Sequence, residues 1–126
     1  MTDRKKALVG LHNEEFRKVL VEELEYKYQV TAVSGLEAMK KRASENPFDA
    51  YLMDVNLGNA GDNPEPLVEI YQLPGVGDRV ARGDATLVAT SGYGGYLKSA
   101  RELGLEGVTL MDKSDLGMEF ERLFPG

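Results

Sequence analysis

At 126 residues with 42% hydrophobic side chains, the chain suits one globular domain with one core rather than a disordered segment. A formal net charge of −6 argues against a nucleic-acid footprint and against attraction to an anionic membrane surface. The lack of cysteine excludes disulfides and thiolate metal sites and fits a cytoplasmic setting, and the polar start Met1 to Lys6 reads as neither a signal peptide nor a membrane span.

Ala7 to Leu11 is a short apolar run that predicts a first strand ending at His12-Asn13. Asn13 is a helix cap, with Glu14 and Glu15 in the first turn, where the helix dipole favours acids. Phe16, Leu20, Leu24 and Tyr28, with Val19 beside them, form the apolar face of that helix. Gln29 to Val33 predicts a second strand, broken by Ser34-Gly35. A second helix follows through Leu36, Met39 and Ala43, with Lys40, Lys41 and Arg42 on its outer side. Phe48 to Met53 predicts a third strand that stops at Asp54.

Asn56 to Pro66 is irregular, and Leu67, Val68, Ile70 and Tyr71 predict a short helix starting near Pro64 or Pro66. Pro74 to Asp84 reads as a polar, glycine-bearing connection. Thr86 to Thr90 predicts a fourth strand ending at Ser91-Gly92. Tyr96 to Leu103 has helical spacing and is stopped by Gly104. Val108 to Met111 predicts a fifth strand. After it, Ser114 or Asp115 is placed to cap a last helix with Leu116, Phe120 and Leu123 inward.

Five strand–helix units in strict alternation predict a flavodoxin-like three-layer sandwich, a parallel sheet of order 2-1-3-4-5 with helices on both faces. In that order the C-terminal ends of strands one, three, four and five line one crevice. His12, Asn13, Asp54, Ser91 and Lys113 all fall there.

An Asp ending strand three, a small hydroxyl ending strand four and a Lys after strand five resemble the receiver (CheY-like) domain of two-component response regulators. The resemblance spans about Lys6 to Phe124, so residues 1–126 read as a single receiver-like domain with no output domain. It implies that Asp54 accepts a phosphoryl group from a histidine kinase, a phosphotransfer protein or a small phosphodonor. It implies that Ser91, with Thr90 the one-residue alternative, bonds the phosphoryl oxygens, and that Lys113 offsets their charge. It implies Mg²⁺ held by Asp54 and the backbone carbonyl of Asn56. It also implies output by docking a downstream protein on the fourth helix, fifth strand and fifth helix, roughly Tyr93 to Phe124, and no enzyme activity beyond self-phosphorylation.

The chain departs from that family in four places. The acidic metal-binding pair after strand one is replaced by Leu11-His12 or His12-Asn13, and leucine offers a hard cation no ligand. His12, Glu14 and Glu15 are the remaining candidates for a rebuilt metal site. The loop after Asp54 lacks the compact turn, and the segment from Gly104 to Lys113 is about two residues longer than usual. The switch aromatic of strand five falls near Leu110, leaving Tyr93 or Tyr96 to move instead. The alternative reading is therefore a pseudo-receiver, a protein-interaction module that acts without phosphorylation. A small-molecule domain on the same frame is a third class, but no nucleotide or flavin loop follows strand one.

Overall fold

A computed structural model describes residues 4–58, 64–92 and 94–124. The elements run β1 (Lys5–Gly10), α1 (Glu14–Leu24), β2 (Tyr28–Val33), α2 (Leu36–Glu45), β3 (Ala50–Asp54), α3 (Glu65–Tyr71), α4 (Gly77–Arg82), β4 (Thr86–Ser91), α5 (Gly94–Glu102), β5 (Val108–Asp112) and α6 (Lys113–Leu123). The strands form one parallel sheet of order β2-β1-β3-β4-β5, the order the alternation predicts.

Strand alternation divides the core into two layers. Ala7 and Val9 of β1, Ala50 and Leu52 of β3 and Val88 of β4 face Leu20 and Leu24 of α1 and Leu116, Phe120 and Leu123 of α6. Leu8, Tyr51, Met53, Leu87 and Ala89 face the other way, onto α2, α3, α4 and α5. All five residues of β3 are buried, because it is the central strand and is covered on both faces. The edge strand β5 is half-buried along its whole length.

Several local expectations are corrected. Tyr28 belongs to β2 and not to the face of α1, because the helix ends at Leu24 and Lys27 N–H turns back to the Leu24 carbonyl at 2.9 Å. Val19 is 57% exposed and is not part of the apolar face. Lys40 does not simply face solvent: it pairs with Glu69 at 2.9 Å and ties α2 to α3. The connection Pro74 to Asp84 contains α4, so two helices separate β3 from β4 and the alternation is not strict. Val76 and Val80, one turn apart, are buried, and Gly83 closes the helix at φ +82°. Gly107 is required beneath it, since a Cβ there would stand 2.3 Å from the Val80 carbonyl oxygen. α6 begins directly after β5, and its cap is Asp112 rather than Ser114 or Asp115.

Candidate functional site

Asp54 is the last residue of β3 and shares the sheet face of Ala50 and Leu52, the face covered by α1 and α6. It is only 4% exposed, so its carboxylate requires partners. One oxygen, Oδ2, accepts the main-chain N–H of His12 at 2.8 Å. The other, Oδ1, lies 3.2 Å from Lys113 Nζ. Lys113 is the first residue of α6. Its neighbour Asp112 ends β5 in extended conformation and accepts hydrogen bonds from Ser114 N–H (2.8 Å) and Oγ (2.7 Å). Those two bonds hold the Asp112 carboxyl below the usual carboxylate range, with the Ser114 hydroxyl the larger cause. The Lys113 ammonium also stands 5.1 Å from the centroid of the Phe16 ring, within reach of a cation–π attraction.

The first turn of α1 supplies the opposite side. Asn13 caps it by accepting Phe16 N–H at 2.8 Å. That places Phe16 over Lys113 and Arg17 over the end of β1. Arg17 Nη1 donates to the carbonyl oxygens of Leu11 (2.8 Å) and His12 (3.4 Å).

The hydroxyl is supplied by β4. Asp54 and Thr90 are register partners, and Val55 N–H donates to the Thr90 carbonyl at 2.9 Å. Thr90 follows Val88 by two residues and so shares the face of Asp54, whereas Ser91 pairs with Asp112 and follows Ala89 onto the opposite face. Thr90 is fully buried, and its Oγ1 has no hydrogen-bond partner among the described residues.

No protein-family model and no curated protein matches the chain. Solved structures do. A CheY-like receiver domain from Methylobacillus flagellatus is 22% identical, with a TM-score of 0.67 over 97% of this chain and 100% of its own. The chain has the fold of a response regulator receiver domain. A Burkholderia pseudomallei response regulator with a phosphorylated aspartic acid, calcium ion and citrate is 22% identical, with a TM-score of 0.62 over 96% of this chain and 67% of its own. The isolated receiver domain of RcsB from Salmonella enterica serovar Typhimurium, in the presence of the phosphomimetic BeF3-, is 10% identical with a TM-score of 0.55 over 94% and 86%.

On this receiver fold the predicted residues separate. Asp54 and Lys113 meet. His12 is at the site through its backbone, while its side chain is exposed. Ser91 lies on the far face, and the one-residue alternative Thr90 lies beside Asp54. Asn56 sits in the turn after β3, and Glu14 and Glu15 are exposed on α1. Leu110 is half-buried against the α2–α5 layer. Tyr93 and the side chain of Tyr96 lie outside the described residues.

The described residues at the site do not fit Mg²⁺. Leu11 is wholly buried in the core, and among the described residues no three His, Asp or Glu side chains converge on one point. The carbonyls of Leu11 and His12, hard donors at that strand end, are held by a guanidinium. Phe16 and Arg17 are the site residues that sequence reading misses. Their signal is the Asn13 cap, which fixes the third and fourth helical residues over the preceding strand end.

Proposed function

We propose that this chain is a signal receiver whose Asp54 accepts a phosphoryl group from a histidine kinase, a phosphotransfer protein or a small phosphodonor, and whose α5–β5–α6 surface docks a downstream protein. The observation that carries the reading is the pairing around Asp54: a buried carboxylate at the C-terminal end of the central strand, with an ammonium on one oxygen and a main-chain N–H on the other. Phosphoryl transfer asks mainly for position and charge neutralisation. A carboxylate oxygen attacks phosphorus and the donor leaves with the electrons of its own bond. Lys113 offsets the added charge. The Thr90 hydroxyl, which has no hydrogen-bond partner among the described residues, donates to a phosphoryl oxygen. Two structural neighbours, one with a phosphorylated aspartic acid and one in the presence of a phosphomimetic, support the same chemistry here.

Output fits the exposed side of the last elements. Met118 on α6 is 82% exposed and Leu103, just past α5, is 42% exposed, and each is an apolar side chain that a partner docking on these elements would cover. No helix among the described residues is long and apolar enough to cross a membrane. The net charge of −6 disfavours nucleic acid as the direct target. The reading places the chain in the cytoplasm and gives it no enzyme activity beyond its own phosphorylation.

The test is intact mass after incubation with acetyl phosphate in buffer containing Mg²⁺, on wild type and Asp54→Asn. One phosphoryl group on wild type and none on Asp54→Asn is expected. A second reading, a pseudo-receiver that docks partners without phosphorylation, is favoured by the burial of Leu11 where an acid is needed. It predicts no adduct on folded protein and partner binding unchanged in Asp54→Asn.

A further inference from the structure

The end of β1, where a divalent cation would need acids, carries a cation of the protein's own. Arg17 Nη1 donates to the carbonyls of Leu11 and His12, and the N–H of that same His12 donates to Asp54 Oδ2. One residue thus links the guanidinium to the carboxylate. On the other side Lys113 reaches Asp54 Oδ1. A guanidinium has five N–H donors and stays charged at any working pH, so the two bonds from Nη1 leave donors available to an incoming oxyanion. Beside Asp54, as its register partner on β4, lies the buried Thr90, with an Oγ1 that has no partner among the described residues.

We infer that Arg17 and Lys113 together take the place of the divalent cation, so that phospho-Asp54 forms and is held here without a metal. The inference rests on the phosphoacceptor reading above and concerns how that same site is charged. Unmodified, Asp54 offsets one of the two cations. Phosphorylation replaces the carboxylate charge with about two negative charges on the phosphoryl group, and the two cations then match it. A divalent cation added to the same cluster would meet two fixed positive charges with one carboxylate to hold it, which Coulomb repulsion opposes. With acetyl phosphate as donor, an Asp54 oxygen bonds to phosphorus, the bond from phosphorus to the bridging oxygen breaks, and acetate leaves with that electron pair. No proton is consumed and no further reactant is needed.

The experiment is intact mass against time with acetyl phosphate, in EDTA and in Mg²⁺, on wild type, Arg17→Gln, Arg17→Lys and Asp54→Asn, with a thermal melt of each. The expected result is an Asp54-dependent adduct in EDTA at a rate close to that in Mg²⁺. Arg17→Gln should slow it by roughly a hundredfold, as losing one preorganised oxyanion donor does elsewhere, and Arg17→Lys should restore part of the rate. An adduct that requires Mg²⁺ overturns the inference and leaves the receiver reading standing. An adduct in EDTA that folded Arg17→Gln forms as fast as wild type also overturns it. No adduct in either buffer on folded wild type overturns the phosphoacceptor reading and this inference with it. If Arg17→Gln does not fold, wild type in the two buffers and Arg17→Lys still decide.

Discussion

A hydroxyl with no partner in a fully buried position is costly, and Thr90 Oγ1 has none among the described residues. Leaving such a group unsatisfied costs about 1–3 kcal/mol, while replacing it with a methyl of the same shape removes the penalty. Thr90→Val should therefore raise stability by about 1 kcal/mol in a urea melt. A loss of stability would mean that the hydroxyl already has a partner. The same variant should slow phosphorylation of Asp54 more than Ser91→Ala does, because Thr90 shares the face of Asp54 and Ser91 does not. The reverse order would return the phosphoryl contact to Ser91. Stability given up at one buried hydroxyl is what a site shaped for an absent oxyanion predicts.

At the scale of the element, α6 depends on a cap made by the last residue of β5. Asp112 accepts both the N–H and the hydroxyl of Ser114, which lowers its pKa in the folded state. A lowered carboxyl pKa adds stability that is fully present above the unfolded value and is lost as pH falls through the folded one. The melting temperature should therefore drop on acidification below the ordinary carboxylate range, and Asp112→Asn, which keeps an acceptor of similar capping strength, should flatten that drop. Equal acid sensitivity in wild type and Asp112→Asn would remove Asp112 as its source. The cap also shows where sequence reading stops. The five strands were legible because apolar runs bounded by Gly, Asn and Ser have few other uses, and the order followed from alternation. Asp112 was hidden because its helix starts without an intervening loop. The helix α4 was hidden because Val76 and Val80 are its only buried large side chains, framed by Pro74, Gly75 and Gly83. Asp54 and Lys113 were legible as strand-end charges. Arg17 was not, since its targets are backbone carbonyls, and any residue supplies those.

Across the whole molecule, the layer behind the site closes around Phe124. Phe124 is 1% exposed, meets Tyr28 of β2 edge-on at 6.4 Å, and lies 5.0 Å from the Phe120 ring. Its carbonyl accepts Lys27 Nζ at 3.2 Å, and Lys27 also pairs with Glu121. One aromatic therefore joins the far edge of the sheet to α6, whose first residue is Lys113. Truncation to alanine removes that join along with its buried area, and a buried Phe→Ala costs about 3–5 kcal/mol. Against a total stability of about 5–15 kcal/mol, Phe124→Ala should leave a folded but weakened protein. The loss should not be uniform. β1, β3 and β4 keep both covering layers, whereas α6 loses its C-terminal anchor and retains the Asp112 cap and Leu116. Hydrogen exchange should then show α6 amides of Phe124→Ala opening well below the global unfolding free energy, with β3 amides still exchanging at it. Because Lys113 travels with α6, phosphorylation at Asp54 should slow in the same variant at temperatures where β3 remains protected. If α6 and β3 lost protection together, the sheet and its last helix would form one cooperative unit, and Phe124 would act on stability alone.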